Sequence, residues 1–292
     1  MALDKFYLGD AFDILPLFPD EFFDLIIIDP PYNMRKFDND KFTMDDYLKF
    51  TAQWTELIWK KMKPTASLYC FASDKAMFRI EKFLSEKMAL LNILVWNYNS
   101  QFIVPRRNYE FRCEYILFYA KSADYTFNRG RESPSKSTIA RWKNLADENG
   151  NIPYENLTPV MQRRSTPENY EKNPIIIYRG SYRGNILSFP RVGRGNNSET
   201  RFGKHPTQKP EELIDVLIHT SSNEKDIILD PFSGIATSLV VAKRNHRHFV
   251  GTEINEKYYE IGKLRLRDEP DYQSLLPYME KIDPLEETKN KH

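Results

Sequence analysis

The chain has 292 residues, 41% hydrophobic and 28% charged, which fits a folded globular protein and excludes a disordered or fibrous one. Its net charge of +1 excludes a surface that is basic all over, and no apolar run approaches the roughly 18 residues of a membrane span. The N-terminus carries no basic-then-apolar leader, and Cys70 and Cys113 are the only cysteines, so two buried thiols in a reducing cytoplasm are expected.

Residues 23–28 read as a short buried strand that runs straight into Asp29, Pro30, Pro31 and Tyr32. Over residues 44–62 the apolar positions Tyr47, Phe50, Trp54, Leu57, Ile58 and Met62 fall at helical spacing, and this aromatic stripe is expected to be core packing. A strand over 67–71, a helix over 75–87 and strands over 90–96 and 115–119 follow. The pattern then dissolves. From about 121 to 203 prolines, glycines and scattered arginines prevail, and only 175–178 looks strand-like. Segment 121–204 holds 15 Lys and Arg against 8 Asp and Glu, so a localised anionic partner is expected there. Alternation returns with a helix over 210–220, a strand over 227–229, a helix over 236–245, a strand over 248–251 and a helix over 256–267. The charged, proline-interrupted tail 268–292 predicts no structure. Strands alternating with helices predict an α/β protein, doubly wound, whose mostly parallel sheet is covered by helices on both faces.

Residues 228–238 form a strand, a small-residue turn and a helix start, the kind of turn that lets a ligand approach the backbone. About twenty residues on, a strand ends at Glu253, where a carboxylate can accept hydrogen bonds from ribose hydroxyls. The turn has neither the glycines nor the lysine of a phosphate site, which favours an adenosyl ligand without a phosphate chain. An ordinary strand–helix corner is the competing reading. His246 and His248 can share a face of a strand, but no cysteine or acid stands at ligand spacing, so no metal site is expected.

Four stretches together resemble the amino-group DNA methyltransferases that use S-adenosylmethionine: Tyr7-Leu-Gly-Asp10, Asp29-Pro-Pro-Tyr32, His205-Pro-Thr-Gln-Lys-Pro210 and Asp230-Pro-Phe-Ser-Gly234. With the catalytic half first and the cofactor half last, the order is similar to the circularly permuted beta class. The resemblance implies a Rossmann-like methyltransferase fold, with residues 1–120 as catalytic half, 121–204 as a target-recognition insertion and 205–267 as cofactor half. It also implies cofactor contacts from Asp10, whose other common use is as a helix cap, and from His205, Thr207, Gln208 and Lys209, the lysine neutralising the methionine carboxylate. Asp230, Pro231, Phe232, Ser233 and Gly234 would form the cofactor turn, with Ala236, Thr237 and Ser238 opening the next helix. Glu253 would take the ribose, with Asn255 beside it. Ala236 stands where the family's turn usually has glycine, and strain or crowding is expected there.

In this reading Asp29 and the Pro30 carbonyl accept hydrogen bonds from the exocyclic amine of adenine, keeping electron density on nitrogen. Pro30 and Pro31 fix the turn and remove competing donors. Tyr32 offers a flat face to a base swung out of the duplex. An Asp with a pKa of about 3.9 is too weak a base for a neutral amine, so it acts as an acceptor. Double-stranded DNA is the implied partner, with Arg35, Lys36, Arg106 and Arg107 near the catalytic side. Arg163, Arg164, Arg179, Arg183, Arg191, Arg194 and Arg201 lie in the insertion. Two alternatives stay open: N4-cytosine methylation, whose enzymes more often carry Ser in place of Asp29, and an inactive DNA-binding relative. The resemblance also offers a homodimer and a cognate restriction endonuclease as candidate partners, in a restriction-modification system.

Overall fold

The computed structural model describes residues 2–33, 41–98, 107, 109, 112–132, 136–148, 151–163, 166–172, 181–193, 202 and 208–267. Strand β1 is Lys5–Leu8, and a short helix α1, Ala11–Ile14, follows. Then come β2 (Phe23–Ile28), α2 (Met44–Lys61), β3 (Met62–Ala72), α3 (Asp74–Leu84), β4 (Ala89–Asn97) and β5 (Cys113–Ala120). Residues 129–184 form a separate compact unit with β6 (Arg131–Glu132), α4 (Lys136–Trp142), α5 (Pro159–Gln162), α6 (Pro167–Lys172) and β7 (Ser181–Tyr182). The first unit resumes with β8 (Ile186–Ser188), α7 (Glu211–Ser221), β9 (Ile227–Asp230), α8 (Thr237–Arg244), β10 (His248–Glu253) and α9 (Glu256–Arg265).

Eight of these strands form one sheet in the order β1-β10-β9-β2-β3-β5-β4-β8. β5 runs antiparallel to both β3 and β4, and the other pairings in the sheet are parallel. The expected doubly wound, mostly parallel sheet is therefore present. Its two faces separate along single strands. Ile26 and Ile28 of β2 with Leu68 and Cys70 of β3 join Trp54 and Ile58 of α2 and Ile80 of α3 in one core. Leu25, Ile27, Tyr69 and Phe71 join Leu213, Leu217 and Leu239 of α7 and α8 in the other. An unbroken apolar run is what a central parallel strand needs, because both faces are covered. Each of Leu25 to Ile28 is at most 2% exposed, and such burial stabilises by about 1.5–3 kcal/mol per side chain.

Several expectations from sequence need correction. The strand expected over 67–71 begins at Met62, the position at which the sequence pattern ends the preceding helix. β1 and β8, neither foreseen, occupy the two edges of the sheet. Cys70 is buried but Cys113 is only half-buried, because it opens β5 near the strand end. The strand-like segment 175–178 and the tail 268–292 lie outside the described residues. Among the described residues no helix is long and apolar enough to cross a membrane.

β2 and β9 are neighbours, yet the helix after β2 leads towards β3 and the helix after β9 towards β10. The chain thus leaves this pair in opposite directions, and the crevice beyond their carboxyl ends is where open α/β sheets bind ligands. Asp29 follows β2 and Asp230 ends β9.

Candidate active site

Asp29 is held from two sides. The Tyr32 hydroxyl donates to its Oδ1, and Lys209 Nζ lies 2.7 Å from its Oδ2. Lys209 is also 3.2 Å from Oε2 of Glu114, on β5, so one ammonium bridges two carboxylates. Arg191 reaches to 4.0 Å from Oε1 of the same glutamate and stacks its guanidinium 3.6 Å from the Tyr98 ring centroid. Burial opposes the charge on Lys209, but Asp29 and Glu114 more than compensate and raise its pKa, so it stays cationic. Burial, with Asp29 and Glu114 adding to it, pushes the Tyr32 phenol well above its ordinary value, so it stays protonated and can donate. The Tyr32 ring packs against both cores rather than standing free.

The second half of the site is a turn pinned on every side. Asp230 Oδ1 accepts from the Phe232 amide at 3.1 Å, its Oδ2 accepts from the Ser238 hydroxyl, and its carbonyl accepts from the Ser233 hydroxyl at 2.7 Å. Thr252 of β10 donates to the Pro231 carbonyl at 2.6 Å, and the Phe232 ring sits 6.0 Å from Phe50. Glu253 Oε2 accepts from the Gly234 amide at 2.8 Å and Oε1 from the Asn255 amide at 2.7 Å. Asn255 in turn caps α9 through the Tyr258 amide. Behind the turn, buried Arg265 donates to the Ile235 carbonyl and lies 3.0 Å from the Thr237 hydroxyl.

Asp10 caps α1 by accepting from the Phe12 amide at 2.9 Å. Buried Gln208 accepts from the Phe202 amide at 3.0 Å. His205, Thr207, Arg35, Lys36, Arg106, Arg164, Arg179, Arg194 and Arg201 lie outside the described residues. Of the other arginines, Arg107 and Arg163 are exposed, and Arg183 is half-buried with its backbone amide on the Gly130 carbonyl. Sequence reasoning missed Arg129 and Arg131, which both lie over the Tyr182 ring in the 129–184 unit, at 4.4 and 4.0 Å from its centroid. It also missed Glu114, a polar residue at the end of an aromatic strand with no motif around it.

A family model described as DNA methylase, covering N6-adenine and N4-cytosine types, matches residues 23–264. The chain belongs to the DNA methylase family. It is 32% identical to the DNA adenine methyltransferase YhdJ of Escherichia coli K12, over 88% of this chain and 81% of that one. It is 29% identical to the type II methyltransferase M.BglII of Bacillus subtilis, over 98% of this chain and 78% of that one. Among solved structures, M1.HpyAVI in complex with SAM matches with a TM-score of 0.59 and 23% identity, covering 90% of this chain and 98% of that one.

The methyl donor of DNA methylases is S-adenosylmethionine, and the donor set at the β9 and β10 ends suits it. Both Glu253 oxygens accept from backbone amides, and a carboxylate has acceptor capacity beyond these bonds for a ribose hydroxyl. The pinned turn presents its backbone without rearrangement. A separate cavity of about 720 Å³, beside Lys5, Lys225 and His248, shares no residue with this site. Its Lys243 and Arg247 already donate to backbone carbonyls.

Ala236 has φ 64° and ψ 31°, so the methylase turn does place a non-glycine residue in the left-handed region. Its methyl group is buried in the core facing Gly262, where an added Cβ would stand 2.9 Å away, rather than in the crevice. Strain of about 1 kcal/mol is offset by a buried methyl of similar worth. Ala236→Gly should therefore change stability by under about 1 kcal/mol and leave cofactor affinity within about twofold. Calorimetry and denaturant unfolding check both, and a tenfold gain in affinity would place the methyl in the cofactor's way.

Burial lifts the Asp230 carboxyl to about 7, only partly opposed by hydrogen bonds from Ser238 and the Phe232 amide. Glu253 is raised by the same cause. An Asp whose native pKa lies above its unfolded value of 3.8 costs stability once ionised. The cost is absent below pH 3.8, grows through the interval and is complete above pH 7. Asp230→Asn keeps an acceptor for Phe232 and a donor for Ser238 while removing the charge. Its stability relative to wild type should rise between pH 5 and pH 8 by at least about 1 kcal/mol in denaturant titrations. A difference that stays flat with pH contradicts the assignment.

Proposed function

We propose that this DNA methylase moves a methyl group to the N6 amine of a flipped-out adenine within a specific sequence of double-stranded DNA. The observation that carries the reading is Asp29, a carboxylate at the first position of the tetrapeptide, set beside a protonated Tyr32 at the β2–β9 switch point. A serine there would point to cytosine. The 32% identity to an adenine methyltransferase over most of both chains supports the same base.

Bound S-adenosylmethionine supplies a methyl group already activated by its sulfonium. Asp29 and the Pro30 carbonyl accept from the two amine hydrogens and hold the nitrogen lone pair in line for transfer. Tyr32 orients Asp29 through its hydroxyl while its half-buried ring edges the site. Glu253 holds the ribose, the 230–238 turn packs the adenosyl group, and Asp10 stands at the adjoining strand end. The 129–184 unit, with Arg129, Arg131, Arg163 and Arg183, and the arginines outside the described residues serve DNA contact. Similarity to a type II methyltransferase supports a place in a restriction-modification system.

Expressing the protein in a host free of DNA methylation, then sequencing single molecules of its genome, tests this. Modified adenines confined to one short motif are expected. Modified cytosines would transfer the mechanism to N4-cytosine, and an unmodified genome from cells that produce folded protein would favour the inactive relative.

A further inference from the structure

We infer that Glu114 is a positioning residue for methyl transfer, acting as a second seat for the Lys209 ammonium. The inference rests on the reading of Asp29 as the acceptor for the target amine. In the structure both Asp29 oxygens are engaged, Oδ1 by the Tyr32 hydroxyl and Oδ2 by Lys209 at 2.7 Å. A cation in direct contact withdraws electron density from a carboxylate, so Asp29 in this state is a weakened acceptor for the target amine. Among the described residues Lys209 has one other anion within reach. Glu114 Oε2 is buried 3.2 Å from the same ammonium without a well-aligned hydrogen bond, so it holds acceptor capacity aimed at that ammonium. A small reorientation of the ammonium aligns that contact into a hydrogen bond and frees Oδ2 of Asp29.

Glu114 is itself held in place from its other oxygen. Arg191, stacked on Tyr98, stands 4.0 Å from Oε1. Lys209 is only 8% exposed in its side chain and rests over the Phe71 and Trp96 rings, so its ammonium has little water to turn to when it leaves Asp29. Without an anion at residue 114 the ammonium stays on Asp29 and opposes the approach of the amine. The effect belongs to the transfer step, since the hydrogen bonds that pin the 230–238 turn involve neither Lys209 nor Glu114.

Steady-state methylation of duplex DNA by wild type, Glu114→Gln and Glu114→Asp tests the inference, with cofactor dissociation constants measured alongside and product nucleosides identified. Glu114→Gln is expected to lose 10- to 100-fold in kcat, with KM for DNA and the cofactor dissociation constant within about threefold, a split that misfolding would not produce. Glu114→Asp keeps the charge one methylene further back and should lose less, and it carries the test if the glutamine variant does not fold. A kcat for Glu114→Gln within twofold of wild type, or a loss confined to KM or cofactor affinity, would overturn the proposal. The kcat ratio reads out whichever base is methylated, so N4-methyldeoxycytidine from the wild type would sink only the base assignment. A wild type with no transfer to any DNA would sink both.

Discussion

Asp29→Ala is expected to lower kcat for methyl transfer by about 10³-fold, with cofactor affinity reduced no more than a few-fold. The alanine removes the side-chain acceptor and leaves only the Pro30 carbonyl to hold the target amine. Nothing else among the described residues replaces it: Glu114 is paired with Lys209 and Arg191, and Asp230 has both oxygens tied to its own turn. Labelled methyl transfer under single-turnover conditions measures the loss at the chemical step. A variant that kept a tenth of wild-type kcat would show that the carboxylate is not the acceptor that matters.

Lys209→Met should cost about 3 kcal/mol or more of stability, the range for removing one partner of a buried ion pair. Lys209 is 8% exposed, while Asp29 and Glu114 are 24% and 19% exposed, so the thioether leaves two carboxylates facing each other with no cation between them. The same geometry makes the loss conditional. Replacing Glu114 with Gln in the Lys209→Met background removes the charge repulsion between the two carboxylates, so the double variant should be more stable than Lys209→Met alone. Denaturant unfolding of the four proteins gives the coupling. Strictly additive losses would mean that Lys209 and Glu114 do not share the interaction seen in the structure.

The parts of the fold that were legible in the sequence are those whose pattern is dictated by burial on two sides. Leu25 to Ile28 had to be a central strand because no other element buries four consecutive branched side chains. Residues 44–61 had to be a helix, since Tyr47, Trp54 and Ile58 share one stripe and Thr43 caps its start. The edge strands were not legible: β1 has one buried residue in four, and β8 is three residues long. Short helices in the 129–184 unit lack the length for a period to show.

In the site, motifs gave the positions of Asp29, Asp230 and Glu253, but not their partners. Lys209 was expected beside the cofactor's carboxylate, and it lies on Asp29 and Glu114 because the segment entering α7 brings it to the end of β2 and to the start of β5, which lies beyond β3 along the sheet. That placement is a property of strand order, which no local pattern encodes. Asp10 illustrates the converse. Its capping of α1 follows from the residues beside it, and it was foreseen as one of two uses.

The most direct test of the account is to incubate wild type and Asp29→Ala with labelled S-adenosylmethionine and mixed-sequence duplex DNA, then separate the nucleosides by mass spectrometry. The account predicts N6-methyldeoxyadenosine from the wild type and at most a trace from the variant. Label in N4-methyldeoxycytidine, or N6-methyldeoxyadenosine formed equally well by Asp29→Ala, would contradict it.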